Sequence, residues 1–218
     1  MAMLLTMDSA AATGTRKPQN RRGSYAVGQV RRERILNAAL LEFAERGYRG
    51  TSMARIAERC EISETGLRHH FGTKDELLVE ILRERDRIEN ERRESEGSPQ
   101  GVAGLEDTVR IVDHNSRTTE LTRLFTVLTG EAVTDGHPAA PWAVRRYRDL
   151  RRTTADSLRG GVASGELRPD IDADRIARQV IAVMDGLQLQ WLLDPESIDM
   201  AADFRAYIDD LVDSLRTR

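Results

Sequence analysis

Only one cysteine, Cys60, occurs in the 218 residues, which excludes an intrachain disulfide and any multi-cysteine metal cluster. Lysine is confined to Lys17 and Lys74, and there are four histidines. No apolar run approaches the about 20 residues a membrane helix needs. The first residues, MAMLLTMDSAAATGTRK, carry no leading positive charge and only a short apolar patch, so they do not read as a signal peptide. A cytoplasmic location with no membrane partner is expected. Strand alternation, a Gly-rich phosphate loop and a nucleophile–base pattern are all lacking. With so few histidines and one cysteine on an apolar helix face, no enzyme and no cofactor is expected. Paired carboxylates such as Asp209 and Asp210 sit at a helix end and read as solvated. Cys60 reads as a small core residue, with a redox-sensing thiol as the alternative.

What the chain does have is charge, unevenly placed. The formal net charge is −3. Met1 to Lys74 nevertheless holds 13 Lys and Arg against 7 Asp and Glu, and the remainder holds 20 against 29. A basic head on an acidic body suits a protein whose head meets phosphate.

The stretch from Arg34 to Leu82 parses as four helices. Ile35, Leu36, Ala39, Leu40 and Phe43 recur at helical spacing, and Gly47 ends that helix. Thr51 or Ser52 caps a second helix that buries Met53, Ile56 and Ala57. A turn runs through Glu61 and Ile62, and Ser63 caps a third helix through Leu67 to His70. Thr73 and Glu76 form a capping box, which starts a fourth helix. A helix, a capped short helix, a tight turn and a second short helix make a helix-turn-helix. Its third helix would enter the major groove with Glu64, Thr65, Gly66, Arg68 and His69 exposed. Arg68 matches guanine, Thr65 a base edge or thymine methyl, and Glu64 cytosine. Gly66 allows close approach to the groove. Thr51, Ser52 and Arg55 at the second helix would meet phosphate, as would Lys74 with the fourth helix N-terminus. His69 and His70 diverge by about 100° on a helix and do not suit one metal ion.

The N-terminal arm, residues 1–27, carries Arg16, Lys17, Arg21 and Arg22 and is expected to lack order in the free protein. It would lie along phosphates or in a minor groove, or be a solvated tail, or include residues ahead of a true start at Met3 or Met7.

After the charged run RERDRIENERRESEG, a break falls near Gly97, Ser98 and Pro99. Helices are predicted at about Leu105–Arg117, Glu120–Thr134, Trp142–Ala163, Asp172–Leu193 and Asp199–Arg216. The fold class is therefore all-α: a helix-turn-helix domain over 28–82, then a larger helical domain over 83–218. Ile176, Val180, Val183, Met184, Leu187 and Trp191 form one apolar stripe. Phe204, Tyr207, Ile208, Leu211, Val212 and Leu215 form another. Phe125, Leu128, Trp142, Tyr147, Met184, Gln188 and Trp191 could line a sensor pocket or simply fill the core.

Several motifs occur in order: F-x-x-x-G-Y at Phe43 to Tyr48, T-S-M-x-x-I-A at Thr51 to Ala57, and I-S at Ile62 and Ser63. A fourth, G-L-x-x-H-F-x-T-K-D-E-L-L, runs from Gly66 to Leu78. At these residues the chain resembles the tetracycline-repressor (TetR) family of bacterial transcription regulators. The resemblance covers about a quarter of the chain. It implies a homodimer, paired through the two C-terminal helices, that binds a palindromic operator in double-stranded DNA. It also implies a C-terminal domain that senses a small-molecule effector, and it places His70 on phosphate or beside Phe71. Repression is what the family implies. The chain departs from the family pattern at Glu61, where Gly is usual, at Cys60, where Ala is usual, and at Arg68 and His69, which replace an aromatic pair. Asp185 to Glu196 resembles the C-terminal domain of a subgroup that includes choline-responsive repressors. The alternative is an architectural, mainly nonspecific DNA binder, which the diverse polar side chains of the capped third helix argue against.

Overall fold

The computed structural model describes residues 21–217. Among these residues there are nine helices and no strand. They are α1 (Arg21–Gly50), α2 (Met53–Arg59), α3 (Glu64–Phe71), α4 (Lys74–Glu96), α5 (Val102–Ser116), α6 (Thr119–Glu131), α7 (Ala140–Ala163), α8 (Ala173–Leu193) and α9 (Met200–Leu215). Arg16 and Lys17 of the basic arm lie outside the described residues. Helix α1 begins at Arg21.

The chain divides into two compact units, Met1–Ile88 and Glu89–Arg218. In the first, one apolar face from each helix meets in a common core: Ile35, Leu36, Ala39 and Phe43 of α1, Met53, Ile56 and Ala57 of α2, Leu67 and Phe71 of α3, and Leu77, Leu78, Ile81 and Leu82 of α4. Each of the Leu, Ile, Met and Phe side chains contributes about 1.5–3 kcal/mol when fully buried. Near its end α1 is interrupted at Gly47, whose φ of +68° lies in the left-handed region. Helix α2 ends in a Schellman arrangement. The Glu61 N–H donates to the Glu58 carbonyl and the Ile62 N–H to the Ala57 carbonyl, both at 3.0 Å. The left-handed position of this motif belongs to Glu61 (φ +57°), and no other non-glycine among the described residues has a positive φ.

The second unit is built on α7 packed against α8 and α5 packed against α9. Leu105, Val109, Val112, Ala155, Leu158, Ile176, Val180, Phe204, Ile208 and Leu215 form its core. The two C-terminal stripes therefore split. Ile176 and Val180 on α8, and Phe204, Ile208, Val212 and Leu215 on α9, are buried in this core. Val183, Met184, Leu187 and Trp191 on α8, and Tyr207 and Leu211 on α9, pack against it only partly buried. Beyond them Leu189 and Leu193 are 49% and 77% exposed, a large apolar exposure for one helix end. Among the described residues no helix is long and apolar enough to cross a membrane.

Candidate nucleic-acid interface

Local capping fixes the helix-turn-helix. Ser52 Oγ accepts from the Arg55 N–H (3.3 Å) and Ser63 Oγ from the Gly66 N–H (3.0 Å). Thr73 and Glu76 close the expected capping box: the Thr73 N–H donates to Glu76 Oε2 (2.9 Å) and the Glu76 N–H to Thr73 Oγ1 (3.2 Å). A methyl group placed on Gly66 would sit 3.2 Å from Ser63 Oγ. The glycine thus leaves room for the cap.

Helix α3 turns Leu67 and Phe71 inward and leaves Thr65, Arg68, His69 and His70 exposed, with Ser63 exposed at its start. Glu64 and Gly66 are half-buried. The outward side chains lie on one short, capped helix, the arrangement that reads base edges. Arg68 is not an isolated cation. Its Nε and Nη2 donate to Glu64 Oε1 at 2.9 and 2.7 Å, and its Nη1 reaches the Gly72 carbonyl at 3.4 Å. His69 and His70 face each other edge-on with ring centroids 6.0 Å apart, and His70 lies 6.4 Å from the Phe71 ring.

Two residues expected at phosphate are engaged inside the unit. Thr51 is only 3% exposed, and its hydroxyl lies 2.8 Å from the Gly47 carbonyl and 3.0 Å from that of Glu42. Its single hydrogen is shared between these two carbonyls, the shorter contact being to Gly47 where α1 is interrupted, and the capping role falls to Ser52. Lys74 Nζ donates to the Tyr48 and Thr51 carbonyls, 2.8 Å each, and lies 4.1 Å from the centroid of the Tyr48 ring. An ammonium has three hydrogens, so one is left beyond these two carbonyls. The Tyr48 hydroxyl also donates to Asp75, and Arg32 pairs with Glu80, so α1 is tied to α4 at two further places. Tyr48 and Asp75 were missed in the sequence because partners 27 residues apart have no local signature. Ser52 and Arg55 keep exposed side chains at the start of α2.

Arg59 bridges Glu42 and Glu45 on α1, at 2.9 Å each, and fixes the back of α2. Cys60 is 5% exposed beside it, and burial pushes its thiol above the ordinary thiol value. That favours the core reading over a reactive thiolate.

The sensor candidates fall into two groups. Phe125 and Trp142 are buried with ring centroids 5.7 Å apart, and Leu128 is fully buried with them in the second unit's interior. The half-buried ones are Tyr147, Met184, Gln188 and Trp191. The Tyr147 hydroxyl donates to Asp185 Oδ2 (2.7 Å), and Gln188 Nε2 donates to Thr126 Oγ1 (2.7 Å). Burial raises the Asp185 carboxyl above the usual carboxylate range, opposed by the Tyr147 hydrogen bond and by Arg146. Burial, followed by the Asp185 charge, raises Tyr147 too. Asp185 and Thr126 were not among the sequence candidates. The available signal was a carboxylate set between Met184 and Leu187 on an apolar stripe.

A capped two-helix unit with polar side chains on its second helix, followed by a larger helical unit, defines a helix-turn-helix transcriptional regulator. The chain belongs to the tetR family of bacterial regulatory proteins, whose N-terminal domain matches residues 35–81. Residues 108–217 match the C-terminal domain of BetI-type transcriptional repressors. Among its relatives, the HTH-type transcriptional repressor AcnR of Corynebacterium jeikeium is 30% identical over 176 residues, covering 80% of this chain and 89% of that protein. The HTH-type transcriptional regulator TtgR of Pseudomonas putida is 27% identical over 203 residues, covering 86% and 92%. A transcriptional regulator from Saccharomonospora viridis, crystallised with choline, superposes with a TM-score of 0.72 at 25% identity, over 88% of this chain and all of that one.

Proposed function

We propose that this regulator is a ligand-responsive repressor that binds a palindromic operator as a homodimer and is released by a small molecule. The observation that carries this reading is α3: Ser63 caps it, Leu67 and Phe71 anchor it, and Thr65, Arg68, His69 and His70 project from it. In this reading Ser52, Arg55 and Ser63 meet backbone phosphate, and Lys74 brings its remaining hydrogen to the same strand. Thr65, Arg68 and Glu64 face base edges, with Gly66 giving them room and His69 and His70 flanking them.

Half-buried Met184, Leu187, Trp191, Tyr207 and Leu211, together with exposed Leu189 and Leu193 on the opposite side of α8, support pairing through α8 and α9. A two-fold axis there would set two α3 helices on half-sites about 34–36 Å apart, or a multiple of that. The sensor would lie where Phe125 and Trp142 meet Tyr147, Asp185 and Gln188. The Asp185 carboxyl there favours an effector carrying N–H or O–H donors or a positive charge, with the Arg146 charge nearby opposing the last. The choline-bound structural relative is consistent with that chemistry. Effector and operator would oppose each other equally, because each favours a different state of one protein.

The test is binding of the full-length protein at physiological salt to DNA from upstream of its own gene, against scrambled competitor. Discrimination of about a thousandfold with one dimer per palindrome is the expected result. Sequence-blind binding with a steep salt dependence would replace this reading with an architectural role. Release of the complex by choline, assayed next, checks the effector class.

A further inference from the structure

We infer that Glu64 is a positioning residue for Arg68, and that the two side chains read DNA as one unit, with Glu64 supplying specificity at the expense of affinity. The inference rests on the reading that α3 enters the major groove.

The geometry is specific. An arginine has five N–H donors in a rigid fork. The Nε hydrogen and one Nη2 hydrogen point at Glu64 Oε1, at 2.9 and 2.7 Å. A third hydrogen, on Nη1, points at the Gly72 carbonyl, at 3.4 Å. One hydrogen remains on each terminal nitrogen. Two parallel N–H groups are what the O6 and N7 acceptors of guanine accept. Both guanidinium hydrogen bonds to Glu64 go to Oε1, which leaves Oε2 to accept from the amino group of a neighbouring cytosine. The pair thus offers two donors and one acceptor at fixed separation on the exposed face of α3.

The same contact works against sequence-blind binding. Both side chains reach solvent, with 40% of the Glu64 side chain and 51% of the Arg68 side chain accessible, so in water the pair is weak and screened. In a groove that excludes water it strengthens. A free Arg68 could swing to any phosphate. A held Arg68 cannot, and the Glu64 charge repels the strand besides. Discrimination can come from such a repulsive element as much as from the attractive one.

The experiment uses the full-length chain and a pool of random-sequence duplexes. Wild type selects a sequence. Wild type, Glu64→Gln, Arg68→Ala and the double variant are then titrated against the selected duplex and a scrambled one across a salt series. Glu64→Gln should bind the scrambled duplex more tightly, with a salt slope steeper by about 0.9 for each head as Arg68 gains a phosphate. Its discrimination should fall by about tenfold. Both changes should be much smaller when Arg68 is already alanine, leaving only what the Glu64 charge and its cytosine contact contribute on their own. Unchanged slope and discrimination in Glu64→Gln would overturn the inference, and so would equal changes in the Arg68→Ala background. If wild type enriches no sequence at all, the operator-reading function fails as well, an outcome distinct from either of these.

Discussion

Replacing Glu61 with glycine should make the reading unit more stable. Glu61 closes α2 at φ +57°, where its N–H and that of Ile62 complete the Schellman hydrogen bonds at 3.0 Å. An L side chain in that conformation costs about 1–2 kcal/mol through the contact of its Cβ with the following carbonyl. Glycine removes that cost but returns about 0.4–1 kcal/mol through the greater freedom of the unfolded chain. The net expectation is a gain of about 1 kcal/mol. Glu61 is exposed, so removing its charge must be separated from removing its Cβ. Glu61→Gln does this and should stay within about 0.5 kcal/mol of wild type. Amide hydrogen exchange in the full-length protein is the suitable assay, because it resolves one unit from the other. Amides of α2, its C-cap and α3 that exchange through opening of this unit, such as those of Cys60 and Leu67, should slow by about fivefold in Glu61→Gly. Those of α8 and α9 should not change. Equal behaviour of the Gly and Gln variants would refute the argument from backbone strain.

Three further outcomes are expected. Lys74→Ala removes a charge-assisted tie to the Tyr48 and Thr51 carbonyls and should cost the first unit about 2 kcal/mol; unchanged exchange of the amides around Thr51 would remove the tie from consideration. Arg68→Ala should relax base preference at one symmetric position in each half-site, by about 1–3 kcal/mol per contact. An equal loss across all sequences would contradict that role. Asp185→Asn should stabilise the second unit at neutral pH. Burial holds the folded carboxyl above its unfolded value, so the folded state binds more protons. The native aspartate is therefore tolerated best below the ordinary carboxylate range, and its contribution is lost as pH rises through the raised folded value. The advantage of asparagine should fade on acidification in a denaturation series at several pH values, and a constant advantage would show that ionisation is not its source.

The readable parts of this chain were those governed by local rules. Serine and threonine caps, the capping box and glycine stops act within four residues, so α2, α3 and the start of α4 follow from the sequence within a residue or two. Apolar spacing likewise located all five helices of the second unit. The roles of Thr51 and Lys74 were not legible, because both depend on where the end of α1 comes to lie. A buried hydroxyl on the Gly47 carbonyl and an ammonium on the Tyr48 carbonyl are tertiary facts. The pairing of Arg68 with Glu64 was legible in principle as an i,i+4 spacing, but reading each residue for its own base contact concealed it. In the second unit, stripe periodicity gave the right faces of α8 and α9 but could not show where along them the core stops. That limit depends on how far the neighbouring helices reach.

The burial of Cys60 provides a natural reporter. The only thiol of the chain belongs to the first unit, whereas both tryptophans, Trp142 and Trp191, belong to the second. Thiol-reactive dyes can reach Cys60 only when the first unit opens, so the rate of labelling clocks that opening in the unmodified protein. Indole fluorescence follows the second unit over the same time course. Adding operator DNA should slow the clock and adding effector should shift the fluorescence, so the two halves can be followed separately in a single cuvette without a mutation or an attached probe.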